Sequence, residues 1–367
     1  MKKLFCILLV GWMTASVDGI AAAQAGFPAN DTIQRWIDQR VSRKPGVGIV
    51  LATRNAAGET KVFSAGESGR TGLALNEHTL FEIASITKTF TTALLADMVG
   101  REEVKLDDPV SKYLPPSLKP QGRNGKQISL LDLATHTSAL PTLPTNIKPR
   151  SIANPYADYT VTMFSEFLVK YELPREIGAS YEYSAVGLGL LGHALGHRMG
   201  TNWETTVVKH VLDPLGMSST RATLSPALQL RLAPGHGESG DVTSNWDIPA
   251  LPAMGALKST AHDMLRFLAA NMDSTSRPFG QALSSAHVPR VRMDEETRVG
   301  LAWQTGHATN RTLVWHGGGT GGYRSLIAFD PGTRLGIVLL MNSAVGADDI
   351  GWHLLDPKLP LEQTEKR

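Results

Sequence analysis

Apolar positions along the chain follow two rhythms. Residues 46–53 (GVGIVLAT) form a continuous apolar, β-branched run, and residues 61–65 (KVFSA) follow a turn signal at 55–58. Both read as strands. The same signal returns near the end at 299–305, 312–316, 325–329 and 335–341, with turn signals at 317–322 and at Asp330-Pro331-Gly332. Between these regions the rhythm is helical. Phe90, Ala93, Leu94 and Met98 recur at helical spacing within 87–99. Further helical patterns cover 130–136, 161–171, 184–199 and 203–212, separated by Pro115-Pro116, the prolines of 141–149, and Pro214. Residues 259–270 read as another helix, with Ser259 or Thr260 as its N-cap and Asp263 in its first turn.

Strands at both ends around a helical middle predict an α+β fold. One antiparallel sheet, flanked by helices as an α/β sandwich, would be built from the N- and C-terminal segments. Residues 26–105 and 255–360 would form this α/β lobe, and 106–254 an inserted, mostly helical lobe of the same catalytic domain. A cleft falls naturally at the junction of the lobes.

Of the 367 residues, 42% are hydrophobic and 19% charged, enough apolar material for a sizeable core. A formal charge of +2 leaves no electrostatic footprint for nucleic acid. Like-charge blocks, heptads and fixed-period repeats are absent, which excludes coiled coils and solenoids. Residues 1–25 read as a cleaved secretory signal peptide. Lys2 and Lys3 precede the apolar stretch 4–10, and Ala21, Ala22, Ala23 and Ala25 offer small-residue cleavage sites. A retained anchor is the alternative, but no later segment approaches the length of a membrane span. Cys6, the only cysteine, lies within the segment to be removed, so the mature chain is expected to have no disulfide and to work in the periplasm.

Three local patterns carry candidate chemistry. Ser85-Ile86-Thr87-Lys88 opens the first helix, and a spacing of three puts Ser85 and Lys88 on one face. A serine hydroxyl needs a base, and a lysine serves once burial lowers its pKa. An exposed lysine in a first helical turn is the plain alternative. Tyr183-Ser184-Ala185 precedes another helix; Tyr183 is either a proton shuttle or a core or capping tyrosine. In 315–323 (WHGGGTGGY), glycines would let a substrate backbone lie against an edge strand, with His316 as a polar or cationic contact. A glycine hairpin around a buried histidine is the alternative there.

These patterns, in this order and rough spacing, resemble the serine β-lactamase and penicillin-binding protein superfamily, in the branch of class C β-lactamases and D,D-peptidases. Residues 133–141 (LATHTSALP), Pro214-Leu215-Gly216-Met217 and 255–260 (GALKST) are similar to segments recurrent in that family. The stretches 106–115 and 131–141 specifically resemble periplasmic D,D-carboxypeptidase/endopeptidase relatives. The resemblance implies a β-lactamase/D,D-peptidase-like fold and a covalent mechanism without metal or organic cofactor. Ser85 would attack an amide or lactam carbonyl, and Lys88 and Tyr183 would manage protons. The backbone N–H groups of Ser85 and Gly319 would hold the oxyanion, and His316, Gly318 and Gly319 would bind substrate. The expected partner is a small β-lactam or a peptidoglycan peptide, bound by a monomer. Two departures stand out: Ala185 replaces the family's usual Asn, and His316 replaces the Lys of class C β-lactamases.

Competing chemistries lack their signatures. The sequence contains neither Gly-x-Ser-x-Gly nor His-Glu-x-x-His. His193 and His197 have metal-compatible spacing but no third ligand and read as helix-face residues. Gly317-x-Gly319-x-x-Gly322 matches a dinucleotide fingerprint in form, but a strand-like run follows it rather than a helix. A carboxylesterase using the same Ser85, Lys88 and Tyr183 is the nearest competing enzyme. A penicillin- or peptidoglycan-binding protein without turnover is the reading from another class.

Overall fold

The computed structural model describes residues 26–273, 280–309 and 311–362. The expected signal peptide and Cys6 lie outside the described residues. Eight strands form one antiparallel sheet: β1 (Gly48–Arg54), β2 (Thr60–Gly66), β3 (Val291–Arg292), β4 (Thr297–Val299), β5 (Gln304–Ala308), β6 (Arg311–Gly319), β7 (Arg324–Asp330) and β8 (Leu335–Met341). Their spatial order is β2-β1-β8-β7-β6-β5-β4-β3, so the chain's two ends meet where β1 pairs with β8. Every position of β1 and β8 is buried. A strand covered on both faces needs apolar residues at every position rather than at alternate ones, which explains their unbroken runs.

The faces nevertheless divide by alternation. Val50, Ile327, Val338 and Leu340 join one core, and Ile49, Leu326, Ile337 and Leu339 the other. Helices α1 (Asn30–Val41) and α9 (Asp348–Leu355) cover the second face through Ile33, Ile37, Ile350 and Leu354. The first face packs against α2 (Thr87–Gly100) and α7 (Ala261–Met272), whose Phe90 and Phe267 rings stack with centroids 3.9 Å apart. Short helices fill the middle of the chain: α3 (Leu130–Ala134), α4 (Val161–Lys170), α5 (Ala185–Arg198) and α6 (Trp203–Val207). α8 (Gly280–His287) follows α7. The antiparallel α+β architecture with an inserted helical region is therefore present. No described helix is long and apolar enough to cross a membrane.

Several boundaries differ from the sequence reading, each for a tertiary reason. The expected strand at 299–305 is interrupted. Leu301 N–H donates to the Ala286 carbonyl and Ala302 N–H to that of Ala134, so this segment dives into the core and buries Trp303 completely. Residues 317–319, read as a turn, are strand, paired with Leu326, Ser325 and Arg324. The helix at 130–136 stops at Ala134, and His136 turns left-handed (φ 60°). The pattern at 203–212 passes from α6 into a π-helical turn, Val208–Leu212. Of the two candidate caps before α7, Thr260 does the work, accepting from Asp263 N–H, while Ser259 lies in a short strand.

Candidate active site

Ser85 lies in a single 3₁₀ turn, Ala84–Ile86, that leads directly into α2. Ala84 before it adopts φ 45°, a conformation that costs a non-glycine residue energy and recurs at functional turns. The turn rests on β6. At Gly318 a Cβ would fall 2.4 Å from both the Ile83 carbonyl and the Ser325 hydroxyl, so only glycine lets the strand approach this closely. Ser325 completes the seat by donating to the Ile83 carbonyl at 3.0 Å.

Helical spacing brings Lys88 Nζ to 2.9 Å from Ser85 Oγ. Its second partner is the Met254 carbonyl, at 2.5 Å. That carbonyl belongs to a 3₁₀ turn, Pro252–Met254, docked on α5 where Gly192 leaves space: a Cβ there would lie 2.2 Å from that of Ala253. Lys88 is 1% exposed. Burial lowers its pKa from 10.5 to about 7, so at neutral pH a large share of the amines carry a free lone pair.

Tyr183 immediately precedes Ser184, the N-cap of α5, whose hydroxyl accepts from Gly187 N–H at 2.9 Å. The Tyr183 hydroxyl donates to Ser85 Oγ at 2.8 Å, and Lys88 Nζ sits 5.0 Å from the centre of its ring. Burial raises the phenol to about 12, outweighing the opposing pull of the Ser85 bond, so Tyr183 stays protonated as a donor. Lys88 and Tyr183 thus converge on the one Ser85 oxygen, each within hydrogen-bond distance of it.

The glycine strand supplies an open edge. Thr320 N–H donates to the Tyr323 carbonyl, so by antiparallel alternation Gly317 and Gly319 turn their N–H and C=O groups away from β7. On that side β5 pairs with β6 only as far as Trp315↔Gln304. Gly319 accordingly lines the cavity that also holds Ser85, Lys88 and Tyr183, about 200 Å³ in volume. Leu143, Tyr156, Ala185, Trp246, Ile248 and Met254 supply the remaining apolar and aromatic wall, and Lys88 is its only charged side chain among the described residues.

Two of the expected substrate contacts lie off the cavity wall in this structure. His316 is buried and absent from the cavity wall. Burial first, and then the Lys88 charge, depress its imidazole to about 3, and Nδ1 lies 2.7 Å from the Gly317 carbonyl. In this structure the ring is bonded to its own strand, and its low pKa favours the neutral form. Gly318 likewise faces the serine turn rather than the cavity and serves as a seat. His193 Nε2 lies 2.6 Å from the Ala250 carbonyl and His197 is exposed, as helix-face residues would be.

Sequence reasoning missed the Met254 carbonyl, a backbone group with no side-chain signal, and the walls Tyr156 and Trp246, which sit in segments without periodicity. It quoted His136 only within a longer family-like segment. The structure stacks that imidazole near the Tyr183 ring, centroids 4.7 Å apart.

Comparison with known proteins agrees with this architecture. The Beta-lactamase family profile matches residues 33–356. A protein named Beta-lactamase from Lysobacter lactamgenus is 27% identical over 95% of this chain and 95% of its own length. One named D-alanyl-D-alanine-carboxypeptidase/endopeptidase AmpH, from Escherichia coli (strain K12), is 30% identical over 65% of this chain and 61% of its own. A solved class C beta-lactamase superposes with a TM-score of 0.75 over 93% of this chain and 100% of its own, at 23% identity, which is a likeness of fold. A family profile spanning nearly all of the described residues, on this fold, means that the chain belongs to the beta-lactamase family of serine hydrolases.

Proposed function

We propose that this is an exported, periplasmic serine acyl-hydrolase that opens β-lactam or D-Ala-D-Ala-type amide bonds through an acyl-enzyme on Ser85. The observation that carries the reading is a buried amine, with no carboxylate partner among the described residues and a pKa near 7, at 2.9 Å from a serine oxygen. Neutral Lys88 takes the Ser85 proton as Oγ attacks the carbonyl carbon. The N–H groups of Ser85 and Gly319 receive the developing oxyanion. As the C–N bond breaks, Tyr183 gives its proton to the leaving nitrogen and is reprotonated from Lys88. Water then attacks the ester, its proton passing back through the same groups, and Ser85 is restored. The open edge of β6 suits an extended peptide-like backbone. The names of the Lysobacter and Escherichia relatives point to the same two substrate classes.

A second reading is ester cleavage. It is favoured by Ala185, which offers no amide to a substrate carbonyl, and by the largely apolar and aromatic wall around Ser85. Nitrocefin, a D-Ala-D-Ala peptide and a short p-nitrophenyl ester, tested side by side, separate the two. Turnover of the ester alone would reject the amide reading. Intact-mass measurement after incubation with benzylpenicillin is expected to reveal a transient adduct that is absent in Ser85→Ala. An adduct that persists without turnover would identify a binding protein instead.

A further inference from the structure

We propose that His136 is a positioning residue that fixes Tyr183 against Ser85 by holding the backbone on both sides of that tyrosine. The proposal rests on the catalytic reading of Ser85, Lys88 and Tyr183 given above. α3 ends at Ala134, and the left-handed turn at His136 brings two acceptors of one residue to the strand-like segment 182–184. The His136 carbonyl accepts from Glu182 N–H at 2.9 Å, and imidazole Nδ1 accepts from Ser184 N–H at 3.0 Å. A few residues on, the Thr142 hydroxyl donates to the Tyr183 carbonyl at 2.8 Å. Tyr183 is therefore pinned before, at and after its own backbone by one loop, and its ring lies against the imidazole at an interplanar angle of 30°.

A backbone N–H only donates, so Nδ1 must present its lone pair and the ring proton resides on Nε2. That nitrogen is buried and has no hydrogen-bond partner among the described residues. The polar contact the ring makes is therefore the Nδ1 bond to Ser184, where no aliphatic or phenyl side chain offers an acceptor. Burial first, and then the Lys88 ammonium when it is protonated, holds the imidazole well below its ordinary pKa, which keeps Nδ1 available.

The test is a double-mutant cycle on the acylation rate with p-nitrophenyl acetate. His136→Phe keeps a ring and removes the acceptor; His136→Asn places an amide oxygen near Nδ1 and tolerates the left-handed turn. Acylation should fall about 10-fold or more in H136F and recover to within about 3-fold of wild type in H136N, with KM little changed. In a Tyr183→Phe background, H136F should cost nothing further, because the tyrosine it positions has lost its hydroxyl. Equal losses in both backgrounds would mark His136 as purely structural and overturn the proposal, as would an H136N protein as slow as H136F. Should H136F fail to fold, His136→Gln, whose amide reaches the Nε2 position instead, is the slow partner for H136N; equal rates for these two would also overturn it. A Y183F protein that acylates at the wild-type rate would instead overturn the catalytic reading beneath it.

Discussion

Lys88 shows most directly how stability and reactivity oppose each other here. Transferring an ammonium from water into the interior is unfavourable, and the chain meets that cost by letting the group lose its proton near pH 7. In the unfolded chain a lysine holds its proton up to about 10.5, so between about 7 and 10.5 the unfolded state binds the extra proton and folding stability rises with pH. Lys88→Met removes this penalty. It should raise Tm by about 2–5 °C at pH 7, by a smaller margin near pH 10, and lower acylation about 10³-fold. Calorimetry at two pH values together with kinetics checks both halves; a variant that is both less stable and active contradicts the account. That Ser85 and Lys88 share a helical face was legible from their spacing of three, whereas the candidate role of Tyr183 came from the family resemblance and not from any local rule. The Met254 carbonyl and the Nδ1 acceptor of His136 were not legible, because their partners lie 166 and 48 residues away and nothing periodic marks them. The state of His316 was illegible for the same kind of reason: its burial is a tertiary fact, and burial lowers its pKa.

Among the elements, α5 and β6 do their positioning through absent side chains. Gly192 lets the Pro252–Met254 turn touch α5, and this contact sets the carbonyl that holds Lys88. Gly192→Ala should therefore destabilise by about 1–3 kcal/mol despite its higher helix propensity, and slow acylation although it lies outside the cavity. A melting curve that rises, with unchanged kinetics, would contradict this. On β6, the glycine run was read as a turn because glycine weakens strand propensity. Pairing with β7 and contact with the serine turn override it. The unbroken apolar runs of β1 and β8 were legible because burial on both faces writes itself into every residue. The break at 300–303 was not, because its backbone bonds go to Ala134 and Ala286, far off in sequence.

Across the whole molecule, the sheet separates a catalytic side from a supporting side. Leu340 belongs to the core shared with α2 and α5, and Leu339 to the one covered by α1 and α9; both are fully buried. Leu339→Ala and Leu340→Ala should each cost about 2–5 kcal/mol. Measured well below its melting temperature, L339A should keep kcat/KM within about 2-fold of wild type, whereas L340A should lower it. Denaturant titration paired with steady-state kinetics distinguishes this from a sheet that transmits every core defect equally. The α+β class was predictable from strands at both ends of the chain. The division of labour between the two faces emerges only from which residues each face packs against.

The central claim is that a neutral amine at position 88 activates the oxygen of Ser85. The most direct measurement is stopped-flow acylation by p-nitrophenyl acetate as a function of pH, with the acyl group mapped by mass spectrometry. The account predicts label on Ser85 and a rate that climbs with pH through about 7, the value at which Lys88 loses its proton, in wild type but not in Lys88→Met. Label on another residue, or a rate that is flat between about pH 5 and 9 in the wild-type protein, would contradict it.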